Sequence, residues 1–457
     1  MQENTKNKEL SNSDTKLHSD LVSKIINHLD SGEHENLKFI LKKMHPADLA
    51  DILSFVQTED RKTIIDLLGH DFNPEILSEI DESIRDEIIE ILPSEFVSKA
   101  ISKLETDDAV HVLEDLQDSK KRIILETVPK KERVEEGLNY PEDSAGRRMQ
   151  HEFVAIPSFW NVGQTIDHLR ETRDLPIDFL EVFIVDVNFH PIGTVPVSKI
   201  LRTPRSNLMK NIMKESKILV TANMDQEEVG YIFEQYGLVS AGVVDSTSRL
   251  VGMITADDIV WVMKEEAEED IYRLGGVGEE SLSGSIIDST KKRFVWLFLN
   301  LGTAIIASLV IGLFDGTIEE MVALAILMPI VASMGGNAGT QTLTVTVRAI
   351  ATRELLNVNA SRIITKEFLI GILNGCLFAV IVGFVAFVWF SNVTLSLVIG
   401  GAMVINMIVA ALSGIIIPII LNKMKFDPAL ASSVFVTTVT DVIGFFSFLG
   451  LASWFLF

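Results

Sequence analysis

The chain has 457 residues, 47% of them hydrophobic, yet 63 acids against 40 bases give it a formal net charge of −23. So acidic a balance repels nucleic acid and anionic lipid and attracts cations. A single cysteine, Cys376, excludes a disulfide framework or a thiolate zinc site within one chain.

High charge and high apolar content are reconciled by dividing the chain near residue 290. Beyond Ser289 there are nine bases and seven acids, whereas the preceding residues hold 31 bases and 56 acids. An acidic soluble part is therefore joined to an apolar part. The expected architecture is multidomain: a superhelical α-helical N domain, an α/β pair, a long connecting helix and a five-span α-helical transmembrane domain.

Residues 1–20, MQENTKNKELSNSDTKLHSD, lack an apolar stretch and read as a disordered lead-in rather than a signal peptide. Residues 21–140 read as the helical N domain. ADLADILSFV, RKTIIDLLG, PEILSEI, SEFVSKAISKL and DDAVHVLEDL each space apolar residues three and four apart. Pro46, Pro74, Pro93 and Pro129 separate them.

Residues 141–205 and 206–263 form an internal repeat. EVFIVDVNFHPIGTVPVSKIL from Glu181 matches SAGVVDSTSRLVGMITADDIV from Ser240. Val185-Asp186 and Gly193 correspond to Val244-Asp245 and Gly252, Ile200 corresponds to Ile259, and Met149 and Met213 open matching segments. Each copy reads strand, helix, strand, turn, strand, helix, with turn residues at Asn188 and Ser248. The duplicated pattern resembles a tandem pair of CBS domains, a sensory module.

A connecting helix follows from about Asp257 to Leu274, ended by Gly275-Gly276; with its linker VGEESLSGS it fills 257–290. Glu266, Glu269 and Asp270 fall on one face, where like charges cost roughly 0.2–0.5 kcal/mol per pair. A divalent cation would reverse that sign.

In the apolar part, 291–457, Phe294 to Phe314 and Met321 to Val347 are uncharged and long enough to cross a bilayer. Phe368 to Asn422 is uncharged and far too long for one crossing, and the polar Ser391 to Thr394 divides it in two. Pro428 to Phe457 makes a fifth span. With the N-terminus in the cytoplasm, Lys291 to Arg293, the loop holding Arg348, Arg353, Arg362 and Lys366, and the pair Lys423 and Lys425 all lie inside. The acidic loop Asp315 to Glu320 and the C-terminus lie outside. This is the topology expected of a multi-pass protein of the cell (inner) membrane.

Asp441 lies midway along the last span, where a lipid-facing carboxylate costs about 2.5–3.5 kcal/mol or more. It is therefore expected to face water, a cation or a protonatable pocket; packing against a neighbour's Thr or Asn is the alternative. Thr437 sits one turn earlier on the same face. In PIVASMGGNAGTQ, Pro329, Gly335, Gly336 and Gly339 suit either a cavity lining or a close helix contact. Asn337 offers a carbonyl to a hard cation or its water shell.

GGNAGTQ before an Arg-containing loop, DPALASS from Asp427 and TDVIGFF around Asp441 resemble the MgtE family of magnesium transporters, over nearly the whole chain. The resemblance implies a homodimer with its pore on the two-fold axis, Asp441 as the ion-selecting acid, and the connecting helix as a plug. It further implies Mg2+ as transported and regulatory ion. The implied cytoplasmic ligands are Glu75 and Asp107 in the N domain, Asp225, Glu227 and Asp258 in the second CBS copy, and Glu266, Glu269 and Asp270 in the plug. His111, Gly237 and Trp261 stand where the family pattern has acids, which implies fewer, weaker or different sensor sites.

Since Mg2+ sheds water slowly, Asp441 is expected to hold it mostly through its waters, with Asn337 nearby. Cytosolic Mg2+ bridging the acidic domains is expected to close the pore. Three rivals remain at this point: an exchanger coupled to Na+ or H+, a CBS pair sensing mainly an adenine nucleotide such as ATP with Asp258 on the ribose, and an intramembrane enzyme. The last lacks any His-Glu-x-x-His or paired membrane acids.

Overall fold

The computed structural model of the protein describes residues 21–277 and 286–456, apart from positions 30, 115, 129–130, 174, 177, 216–217, 356–357 and 432. The expected lead-in and most of the linker lie outside the described residues. The chain divides into two compact units, with the boundary between Lys264 and Glu265.

The first unit opens with short helices, among them Pro46–Phe55, Thr58–Leu68, Glu82–Ile91, Ser94–Ile101 and Thr106–Glu114. Their ends follow from local chemistry. Pro46 takes the first helical position, where a missing N–H costs nothing, and the His45 ring accepts from the Ala47 amide at 3.3 Å. Pro93 stands before Ser94–Ile101. Leu53, Ile64, Ile88, Val97 and Leu113 are buried in one continuous core.

The repeat builds two small sheets. In the first, β1 (Ala155–Pro157) runs parallel to β2 (Glu181–Val185), which pairs antiparallel with β3 (Pro191–Pro196), and β4 (Lys214–Glu215) adds to β3. In the second, β5 (Val220–Thr221) runs parallel to β6 (Ser240–Val244), which pairs antiparallel with β7 (Leu250–Thr255). Both hairpins carry a register shift at the same place, Ile184/Val185 and Val243/Val244. Asp186 and Asp245 tie the turns by accepting two backbone N–H bonds each. The left-handed turn residues are Phe189 (φ 69°) and Ser248 (φ 63°). The first copy thus places the strained position one residue beyond the expected Asn188.

Each copy contributes to the other's sheet. Lys214 of the second copy pairs with Thr194 of the first, while Gln150 of the first exchanges backbone bonds with Met253 of the second, at 2.8 and 2.9 Å. The matched glycines lie under these crossings. A Cβ on Gly193 would stand 2.6 Å from the Lys214 carbonyl, and one on Gly252 would stand 2.7 Å from the Met149 sulfur.

The connecting helix runs Ala256–Leu274. It stops where the Gly275 amide bonds the Ile271 carbonyl and Gly276 turns to φ 66°.

Among the described residues of the second unit, five helices are long and apolar enough to cross a membrane: Ser289–Gly312, Ala323–Ala351, Ala360–Phe390, Val393–Lys423 and Ser433–Phe455. The third and fourth are separated where the sequence predicts. Ser391 turns to φ 51°, and the Asn392 side chain caps the fourth by accepting from the Leu395 amide at 3.1 Å. The third begins eight residues earlier than expected, so Glu367 lies inside it.

Candidate metal centres

In the second span the helix is continuous through Pro329 and the glycines. The glycines are contact points. A Cβ on Gly335 would meet Asn406 of the fourth span at 2.3 Å; on Gly336 it would meet Thr437 at 3.2 Å, and on Gly339 Val436 at 2.4 Å, both in the fifth. Asn406 is fully buried, donates to the Val331 carbonyl at 2.8 Å, and is also covered by Gly444.

Asn337 is exposed beside this seam; its amide donates to the Ser333 hydroxyl at 3.4 Å, which leaves its carbonyl oxygen available. Thr437 donates to the Ser433 and Val434 carbonyls at 2.7 and 3.1 Å, so its oxygen keeps lone pairs for another donor. Asp441 is half-buried and has neither an ion-pair nor a hydrogen-bond partner among the described residues. Acceptor oxygens on this surface match what a hydrated hard cation needs.

On the connecting helix, Glu266, Glu269 and Asp270 are half-buried, whereas Glu265 and Glu268 are exposed. The expected acidic face is therefore the covered one. It continues into Arg273, which pairs with Glu269 and with Asp427. Burial raises the Asp270 carboxyl above its ordinary range. Arg273 was not singled out from the sequence; its i, i+4 spacing from Glu269 was the available signal.

The first unit gathers a larger group. Asp107 and Asp258 are hydrogen-bonded to each other, and one Asp107 oxygen is buried with no partner among the described residues. Asp258 also accepts from the Thr255 amide at 3.1 Å and from its hydroxyl at 2.5 Å. Glu105, Asp108, Glu152 and Asp257 surround the pair, and none of these four was expected. Glu152 accepts from the Thr106 amide and hydroxyl, at 3.2 and 2.9 Å, at the start of helix Thr106–Glu114.

Burial is the largest influence on the protonation of Glu105, Asp107, Asp108 and Asp258. Asp107 is held well above the usual carboxylate range by burial and by Asp258. Burial and Glu152 push Glu105 up to about 7, and burial and Asp258 push Asp108 up to about 6. Asp258 is raised by burial against the pull of Thr255. At neutral pH this group needs protons or a cation. Among the described residues no three Asp, Glu, His or Cys side chains already form a closed cage. Mg2+ needs no such cage, because it keeps several waters and takes one or two carboxylates directly.

The remaining candidates stand apart. Asp225 is spent as a helix cap, accepting from the Glu227 amide at 2.9 Å ahead of Gln226–Tyr236. Glu227 is exposed on that first turn. Glu75 is exposed and bonded to Asn73; it adds to the charge around Glu79, which burial raises. Of the three departures, His111 bonds Glu114 at 2.9 Å. Gly237 closes its helix at φ 58°, and Trp261 lies under the Lys264 ammonium at 5.1 Å.

Buried acids packed beside a duplicated α/β module, in a chain with five bilayer-length helices among the described residues, fit a membrane transporter of cations. Three family models agree: divalent cation transporter over residues 328–451, MgtE intracellular N domain over 44–143, and CBS domain over 209–265. The chain is 31% identical to the magnesium transporter MgtE of Thermus thermophilus over 434 residues, 93% of this chain and 96% of the other. It is 28% identical to the magnesium transporter MgtE of Bacillus subtilis over 442 residues, 96% and 98% of the two. A solved cytosolic domain of the Mg2+ channel MgtE in complex with ATP matches 53% of this chain and 99% of its own, at 24% identity and a TM-score of 0.49. The chain belongs to the MgtE family of magnesium transporters.

Proposed function

We propose that the protein admits Mg2+ down its electrochemical gradient through a homodimeric pore, and that cytosolic Mg2+ closes it. The observation that carries the transport reading is Asp441: a carboxylate within a membrane span, unpartnered among the described residues, with the acceptor oxygens of Thr437 and Asn337 on the neighbouring surface. Two such carboxylates on a two-fold axis would favour a dication over a monovalent ion, and Mg2+ would pass with most of its water. An inward-negative potential supplies about 2.3 kcal/mol per charge per 100 mV. Basic residues gathered at one end of the spans support a cytoplasmic N-terminus and an external C-terminus.

Closure is a matter of linked binding. Glu105, Asp107, Asp108 and Asp258 repel one another, and Glu266, Glu269 and Asp270 share one helix face. Mg2+ that binds the closed arrangement more tightly must stabilise it. Glu75, Asp225 and Glu227 would act as outlying ligands. The matched positions Leu201 and Val260 are each 67% exposed on the two CBS copies, and a second copy would cover them.

Patch-clamp recording with Mg2+ titrated on the cytoplasmic face tests the gate: Glu266→Gln with Glu269→Gln should leave currents less sensitive to Mg2+, and unchanged inhibition refutes the plug. Discrete single-channel currents support a channel; their absence alongside Na+- or H+-dependent flux supports an exchanger. ATP is the alternative regulator, and binding of labelled ATP to the purified protein separates it. Asp258 is engaged by Thr255 and Asp107, so a ribose would need another partner.

A further inference from the structure

The third span begins with a face that carries none of the residues assigned above to the proposed pore and gate. From Ser361 to Leu373, at helical spacing, Arg362, Thr365 and Lys366 are followed by Leu369 and Leu373. They line an open groove of about 710 Å³ together with Val358 and Ile370. Leu369 and Leu373 are 58% and 63% exposed. Neither Arg362 nor Lys366 has an acidic partner among the described residues. The Thr365 hydroxyl donates to the Ser361 carbonyl at 2.9 Å. The Asn359 side chain at the helix start donates to the Glu354 carbonyl at 2.7 Å, and the N-terminal amides of the helix add positive potential at the same end.

We infer that this groove is a binding site for one anionic phospholipid. Arg362 and Lys366 hold the phosphate beside the helix N-terminus, and an acyl chain lies along Leu369 and Leu373. Charge complementarity selects the occupant. Two bases without acidic partners among the described residues, at a membrane border, fit an anionic headgroup, and the apolar strip continues toward the bilayer centre, where the lipid's own chain follows. A soluble phosphate would use the bases and leave the leucines bare. The inference rests on Ala360–Phe390 spanning the membrane and is independent of which ion crosses.

The test is native mass spectrometry of the full-length protein reconstituted with mixed phosphatidylglycerol and phosphatidylcholine. Wild type should retain phosphatidylglycerol in preference. Arg362→Gln with Lys366→Gln should weaken retention about 25-fold, about five-fold per base at roughly 1 kcal/mol each. Lys423→Gln with Lys425→Gln, another basic pair outside the groove, should leave it unchanged, and equal melting temperatures establish that both variants are folded. Glycerol 3-phosphate should not compete at concentrations comparable to the lipid. Equal retention of the two lipids, retention unaffected by Arg362→Gln with Lys366→Gln, or full competition by the free headgroup overturns the proposal. So does disulfide cross-linking between two copies through Leu369→Cys in a Cys376→Ser background, because a second chain would then occupy the groove.

Discussion

Arg273, in the last turn of the connecting helix, is ion-paired with Asp427, the residue that precedes the short turn Pro428–Ala431 and the fifth span. The same guanidinium holds Glu269 one turn back, and Asp427 also accepts from the Ala429 amide at 2.7 Å. Leu274 packs beside Val347, Ala429 and Val436. One base thus keeps two acids together without a metal. Arg273→Gln would leave Glu269 and Asp427 facing one another, so closure would need more Mg2+. The concentration that halves flux should rise about five-fold, the equivalent of roughly 1 kcal/mol for such a pair. A Mg2+ titration of flux checks this, and a fall in that concentration would oppose it.

The acids around Asp107 and Asp258 set an unusual pH dependence. Glu105, Asp107, Asp108 and Asp258 are raised when folded, so the folded state binds protons more tightly than the unfolded chain. Their favourable contribution is full below the ordinary carboxylate range and is lost as pH rises through about 6 and about 7. Without divalent ions, melting of the N-terminal unit should therefore move up as pH falls from 8 to about 5.5. Added Mg2+ should raise it at pH 8 and have little effect at pH 5.5. Scanning calorimetry at both values, with and without a chelator, distinguishes this from ordinary acid destabilisation.

Asp107→Asn keeps the shape and removes the cost of holding a proton on a buried carboxyl. Melting without Mg2+ should rise by several degrees, on the order of 1–3 kcal/mol. The further rise on adding Mg2+ should shrink. A variant less stable than wild type, with its Mg2+ response intact, would show that the pair does not repel.

In the membrane bundle, Gly335→Ala should cost about 1–3 kcal/mol by driving a methyl into Asn406. Gly302→Ala meets nothing within 4 Å and should be nearly neutral. Thermal stability in detergent ranks the two.

What the sequence disclosed and what it hid divide along physical lines. The break at Ser391 and Asn392, the stop at Gly275-Gly276 and the doubled strand pattern are local signals, each written in a few adjacent residues. The crossing of Met149 onto Gly252, and of Met213 toward Gly193, joins positions about a hundred and about twenty residues apart, and periodicity carries no trace of it. Glycines in the second span suited a cavity or a helix contact equally well; only the neighbours Asn406, Thr437 and Val436 decide for contact. Asp107 and Asp258 were legible through family resemblance, but Glu105, Asp108, Glu152 and Asp257 look like solvated surface acids until folding buries them together. Arg273 was hidden because its second partner, Asp427, lies across the apolar half of the chain.

Uptake by proteoliposomes containing the Asp441→Ala protein tests the transport claim most directly, with Mg2+ and K+ fluxes measured on the same preparation and the melting temperature matched to wild type. Loss of the Mg2+ preference, with Mg2+ flux down at least about ten-fold, is the predicted result. Undiminished Mg2+ flux with its selectivity over K+ intact would contradict it.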